Sequence, residues 1–132
     1  MKKYLFILLL LFVTSSVYSD TYYFRTTAFS TKVKTSMGWG SWSMWEESNM
    51  TLVIDDSDNF VIIYSPMTQI YNIYRIYNPY KDSSGNYILK FDVYDQDGDY
   101  GALRLVQRIS GDSEVYIEFA DVQWAYKVIR KY

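Results

Sequence analysis

Short apolar runs alternate with polar punctuation along nearly the whole chain at roughly ten-residue spacing, a pattern that predicts an antiparallel β meander. The runs are rich in Val, Ile, Tyr, Phe and Thr, and the breaks are clusters of Gly, Asp, Asn and Ser. The strands expected are Thr21 to Ser30, Trp39 to Glu46, Met50 to Ile54, Phe60 to Tyr64, Gln69 to Tyr77, Tyr87 to Asp95, Gly101 to Ile109, Glu114 to Phe119 and Val122 to Arg130. No stretch carries a helical period, and no repeat or linker interrupts residues 20–132. The fold class is all-β, a small antiparallel meander of about eight or nine strands. A lipocalin-like barrel is favoured, because sequential hairpins lead to closure and closure removes exposed edges. A two-sheet sandwich is the alternative.

Registers can be tested by whether apolar residues of paired strands fall on one face. Tyr87, Leu89, Phe91 and Val93 share a face, as do Leu103, Leu105 and Ile109 on the next strand. A two-residue turn at Asp97-Gly98 would set these faces against each other, so the loop must be odd. A loop of Gln96, Asp97 and Gly98 puts glycine where such turns need a left-handed residue; a loop of Asp97, Gly98 and Asp99 instead sets Asp92 opposite Arg104. The last hairpin is better specified. A two-residue Ala120-Asp121 turn pairs Phe119 with Val122, Ile117 with Trp124 and Val115 with Tyr126, and Glu114 with Lys127 on the other face.

The first nineteen residues depart from the β pattern. Lys2 and Lys3 precede an apolar run from Leu5 to Val13, and small and polar residues lead to Ser19, the pattern of a cleaved secretory leader. The run is too short for a membrane span, which needs about 20 apolar residues. The expected organisation is a signal peptide at 1–19 and a single β domain at 20–132. Without Lys2 and Lys3, 11 basic residues stand against 15 acids, a formal charge of −4 that argues against nucleic acid and anionic membrane surfaces as partners. An exported chain with no cysteine is unlike the disulfide-stapled secreted domains and suits a bacterial protein, periplasmic or extracellular, that relies on its core. With neither histidine nor cysteine, His-dependent triads, thiol nucleophiles and the commonest metal ligand are excluded. An enzyme would have to use carboxylates, Lys or Tyr, and the strand-borne acids Asp92 and Glu118 make no convincing pair. The expectation is a non-enzymatic protein with no cofactor and no catalytic residue.

Aromatic side chains carry the binding candidates. In the segment Gly38-Trp39-Gly40-Ser41-Trp42-Ser43-Met44-Trp45 three indoles recur at every third residue. On a regular strand Trp39 and Trp45 face one way and Trp42 the other, so at least one should be exposed or at a barrel mouth, unless a bulge at Gly40 turns them inward. Exposed indoles suit stacking on sugar rings or enclosing an apolar ligand. Tyr71, Tyr74 and Tyr77 are further candidates, on a strand whose two faces are both partly apolar; Tyr71, Ile73, Arg75 and Tyr77 would share one face. Asp95, Asp97 and Asp99 superficially resemble a calcium loop, but glycine follows the second Asp and no later Glu completes it, so a plain hairpin turn is expected and no metal is assigned.

The succession Trp39-Gly-Ser-Trp42-Ser-Met-Trp45, Leu52-Val-Ile-Asp, Ile63-Tyr-Ser, Gln69-Ile-Tyr, Asp95-Gln-Asp-Gly and Val115-Tyr-Ile-Glu-Phe-Ala-Asp with Trp124-Ala-Tyr resembles a group of short, uncharacterised exported proteins of gut bacteria and their phages. The resemblance implies a β domain and brings no activity, ligand or site with it. The function expected from the residues is a binding domain for a carbohydrate or small apolar molecule through exposed aromatics. An envelope protein-interaction or inhibitor module, using the Tyr71 to Tyr80 surface and a strand edge, is the alternative. A small outer-membrane barrel is the third, prompted by the alternation Trp124, Tyr126, Val128, Arg130, Tyr132, though the short strands expected at 50–54 and 60–64 count against it.

Overall fold

Apolar residues on alternate positions must share one side of their sheet, and here that side is the inside of a closed cylinder. The computed structural model describes residues 21–131; the leader expected at 1–19 and the cut expected after Ser19 lie outside the described residues. The strands are β1 (Thr21–Thr35), β2 (Gly38–Trp39), β3 (Glu46–Glu47), β4 (Thr51–Asp55), β5 (Phe60–Tyr64), β6 (Gln69–Ile76), β7 (Tyr80–Lys81), β8 (Tyr87–Tyr94), β9 (Tyr100–Gln107), β10 (Ser113–Glu118) and β11 (Val122–Arg130). Eight of them form the wall in the order β1-β4-β5-β6-β8-β9-β10-β11, every pair antiparallel, and β11 returns to β1 to close it. The barrel, not the sandwich, is the fold. No helix occurs among the described residues.

Eight strands leave an interior just wide enough for side chains to fill. Leu52, Ile54, Val61, Ile63, Phe91, Val93, Leu103, Val115 and Ile117 are fully buried there, with Phe24, Tyr71, Ile73, Leu105, Tyr126 and Val128 nearly so. One end is plugged by aromatic rings: Phe119 lies 6.0 Å from Tyr71 and 6.1 Å from Trp124 between ring centroids. At the other end only a recess of about 110 Å3 remains, among Tyr22, Phe24, Tyr87, Leu89 and Leu105.

Two irregularities decide which residues face out. Between Thr26 and Ala28 the pairing of β1 with β11 shifts by a residue, so that Thr26 is inside and Ser30 outside, opposite Ala125. Thr26, wholly buried, donates its backbone N–H to Met50 O at 2.8 Å, and its Oγ1 accepts from Met50 N and from Ser48 Oγ, both at 2.9 Å. A second shift between Ile73 and Arg75 splits the face expected on β6: Tyr71 and Ile73 point into the barrel, whereas Arg75, opposite Asp92, points out.

The hairpins follow the sequence closely. Asp95 and Asp99 flank the three-residue loop Gln96-Asp97-Gly98, with Asp95 N to Asp99 O at 2.9 Å and Gly98 at φ +86°, the left-handed position that an L side chain resists. Loops 83–85 and 109–111 repeat this backbone, so Ile109, expected on a strand face, sits exposed in a turn. The Asp92 to Arg104 register does not occur: Asp92 pairs with Ala102, and Arg104 with Lys90. In the last hairpin Ile117 faces Trp124, Val115 faces Tyr126 and Glu114 faces Lys127, as expected. The strand expected over Trp39 to Glu46 is only its two ends, paired with β1, because Gly40 N bonds Val33 O while Ser43 N bonds Thr31 O, leaving extra residues between the contacts that bulge away from the ladder.

Candidate functional site

That bulged segment carries the indoles. Ser43 pins it to β1: its backbone N–H donates to Thr31 O at 2.8 Å, its Oγ accepts from Thr31 N at 2.9 Å, and Ser30 Oγ donates to its carbonyl at 2.6 Å. Freed from strand alternation, Trp42 and Trp45 both turn onto the outer wall, over Ser30, Ala125 and Tyr116. Trp42 meets Tyr116 edge to face at 6.1 Å. The Lys32 ammonium lies 5.8 Å from the Trp39 ring centre and 5.7 Å from that of Trp42, and Lys127 sits 4.6 Å over Trp45. All three indoles are thus 39%, 38% and 42% exposed, and none is core.

Trp42 and Lys32 form one wall of a groove of about 380 Å3 across the outer wall of the barrel. The turn after β7 forms the opposite wall with Asp82 and Asn86, and the outward side chains of β8 to β11 make the floor. Ile88 and Val106 supply a small apolar base, both buried. Above it stand two ion pairs. Arg104 grips Glu118 through two parallel bonds of 2.9 Å, from Nε to Oε1 and from Nη2 to Oε2. Arg108 donates from Nη2 (2.6 Å) and Nε (3.1 Å) to Glu114 Oε1, which also accepts from the Tyr116 hydroxyl at 2.7 Å. Burial alone would push the Glu114 carboxyl up, but the bonds from Arg108 and Tyr116 outweigh it and hold it below the usual carboxylate range. Burial, then the bond to Glu114, raises the Tyr116 hydroxyl. Arg104 also lies 4.8 Å over the Tyr116 ring, fixing the ring between guanidinium and indole. Asp82 is held by its own turn: Oδ1 accepts from Ser84 N and Asn86 N at 2.9 Å, bonds that keep it ionised.

The other expected site residues lie elsewhere. Tyr71 is in the barrel interior, its hydroxyl donating to Gln69 Oε1 at 2.8 Å, so it takes no part in a surface site. Tyr74 stands outside in a cluster with Tyr94 and Tyr100, at 6.1 and 5.3 Å. Tyr77 lies between Arg75 and Lys90, 5.3 and 4.8 Å from its ring, and donates to Asp92 Oδ2 at 2.7 Å. The Asp95 carboxylate is spent on its own turn, accepting from Asp97 N and Asp99 N at 2.9 Å. Among the described residues no three acids stand together as a cation site. The floor residues Arg104, Arg108 and Tyr116 were not expected at a site; the signal available was their alternation with the core positions 103, 105, 115 and 117, which puts three large polar or aromatic side chains on one outer face.

Fold and groove together make a closed β-barrel with aromatic clusters on its outer wall, an arrangement compatible with a binding domain. The chain matches no protein-family model, no curated protein and no solved structure.

Proposed function

We propose that the protein is an exported, non-catalytic domain that binds a saccharide in the outer-wall groove. The observation that carries this reading is the pairing of an indole and a phenol, Trp42 and Tyr116, with forked polar side chains on every other side of one opening: Asn86, Gln123, and the Arg104 and Glu118 pair. Sugar rings present apolar C–H faces to aromatic rings and paired hydroxyls to planar polar groups, and a site of this kind is largely pre-formed. An apolar ligand is less well served, since the interior is filled, the recess at one barrel end, about 110 Å3, is below the usual pocket size of about 300 Å3, and the hollow of about 540 Å3 beside Phe119 and Trp124 at the other end is rimmed by Asp95, Asp99 and Asp121. The carboxylates a hydrolase would need are already engaged, Glu118 by Arg104 and Asp92 by Tyr77. Action as a free domain is favoured by the apolar interior and an outer wall bearing Lys90, Asp92, Arg104, Glu118 and Lys127, the inverse of a membrane-spanning barrel.

The test is an array of neutral and acidic oligosaccharides probed with the wild-type protein and with Trp42→Ala. The expected result is binding that weakens at least tenfold, about 1.4 kcal/mol, in the variant while its thermal unfolding stays close to wild type. Retention of one saccharide by both proteins with equal affinity would move the site away from this groove. The second reading, a protein-interaction module, rests on the exposed cluster of Tyr74, Tyr94 and Tyr100, where Tyr100 is 69% exposed.

A further inference from the structure

The charges around the groove are not equally spent. Arg104 and Arg108 are neutralised by Glu118 and Glu114, and Asp82 is capped by backbone N–H groups. Lys32 differs: among the described residues no carboxylate pairs with it; the residue is half-buried, and its ammonium lies over the two indole rings, 5.8 and 5.7 Å from their centres. It reaches the groove beside Trp42, on the strand position opposite Gln123. An ammonium set beside aromatic faces but without a counter-ion is poised for an anion delivered by a ligand, and a charge-assisted bond there is stronger than a neutral one.

Resting on the saccharide reading, we propose that the ligand is an acidic sugar, whose ring lies against Trp42 and whose anionic group pairs with Lys32. Aromatic stacking sets the ring, and the unpaired ammonium beside the same indole selects rings carrying a negative substituent within reach. Uronates and sulfated sugars share this chemistry. Of the remaining amides, Gln123 is suited to the ring hydroxyls, while Asn86 is buried and donates from Nδ2 to Asp82 Oδ2 at 3.2 Å.

The experiment uses the same array with matched neutral, uronate-containing and sulfated oligosaccharides, and compares the wild-type protein with Lys32→Gln, a substitution that removes the charge and keeps a polar end. Binding confined to acidic members and roughly tenfold weaker in Lys32→Gln is the expected result. Rising salt should weaken it as well, through screening of the exposed pair. A carboxylate ligand loses affinity as pH falls through about 3 to 4, where a sulfate ligand does not, and this separates the two sources. Equal binding of neutral and acidic partners, or no effect of Lys32→Gln, overturns the inference and leaves the saccharide reading standing. Absence of binding to every member overturns both.

Discussion

Replacing Gly101 by alanine is expected to destabilise the barrel by about 1 to 2 kcal/mol, although glycine at that position is not needed for its backbone. Its φ is not among the positive ones, so an L residue meets no torsional penalty there. The obstacle is space. A Cβ at 101 would stand 2.6 Å from the Glu118 carbonyl oxygen and 2.8 and 2.9 Å from two carbons of the Phe119 ring. Reaching an ordinary contact of about 3.5 Å requires β9 and the end of β10 to part by about 0.9 Å. Neither can give easily. Glu118 is tied to Arg104 and paired with both Ala102 and Gln123, and Phe119 N is bonded to Val122 O at 2.9 Å in the final hairpin. Overpacking of this kind costs about 1 to 3 kcal/mol, offset by about 0.4 to 1 kcal/mol from the smaller freedom of alanine in the unfolded chain. In a domain of this size the difference lowers the melting temperature by about 4 to 8 °C. Far-UV circular dichroism during heating and urea unfolding measures it, and Phe119→Leu in the Gly101→Ala background should recover only part of the loss, because the carbonyl contact stays. An alanine variant that melts at or above the wild-type temperature would refute the reasoning.

Thr26→Val keeps the shape but leaves Met50 N–H and Ser48 Oγ–H without their acceptor, so a loss of about 2 kcal/mol is expected in urea unfolding; a loss under about 0.5 kcal/mol would mean that these donors find another partner. On the acid side, burial raises the Asp55 carboxyl, but bonds from Ser57, Asp58 and Thr21 outweigh it and set it below its unfolded value, as the bonds from Arg108 and Tyr116 do for Glu114. Their contribution is present above the unfolded values near pH 4 and is lost as pH falls through the lowered folded ones; the urea midpoint should drop from about pH 4 to 2, less steeply in Asp55→Asn, and a flat midpoint would contradict this. On the alkaline side, burial pushes the Tyr126 hydroxyl up to about 12 and that of Tyr71 higher still. Both stabilise the fold fully below the ordinary tyrosine value near 10, and that stability is lost as pH rises through the raised values; absorbance at 295 nm should show two tyrosines ionising only with unfolding, and a titration complete before unfolding would count against it.

Strand periodicity made the wall of the barrel readable, since eight runs of alternating residues carried their faces in plain sight. The last hairpin was legible to the residue because a two-residue turn leaves one register, and Ile117 opposite Trp124 agrees with Glu114 opposite Lys127. The bulges at 26–28 and 73–75 were not legible, because no local residue announces them, and the second separates Tyr71 and Ile73 inside from Arg75 outside. The unusual composition around Trp39 marked the indole segment, but its position on the outer wall depends on Ser43 bonding to Ser30 and Thr31, a tertiary contact. One of the two loops left open by the sequence would set Arg104 opposite Asp92, whereas its partner Glu118 is diagonal on the neighbouring strand, a relation that two-strand registers do not reveal.

Closure by β11 against β1 has a kinetic and an engineering side. Phe24 opposite Arg130 and Lys131 N bonded to Tyr23 O at 2.8 Å join segments about a hundred residues apart, the longest loops that folding of this domain must close. A nascent chain lacking β11 has two bare edges, on β1 and β10, and no completed cylinder until the final strand arrives. The same adjacency means that residues 21 and 131 can be bridged by a short linker and the chain reopened at the tip of another turn, such as Asp97, giving a circular permutant with the same wall and a different last strand to wait for.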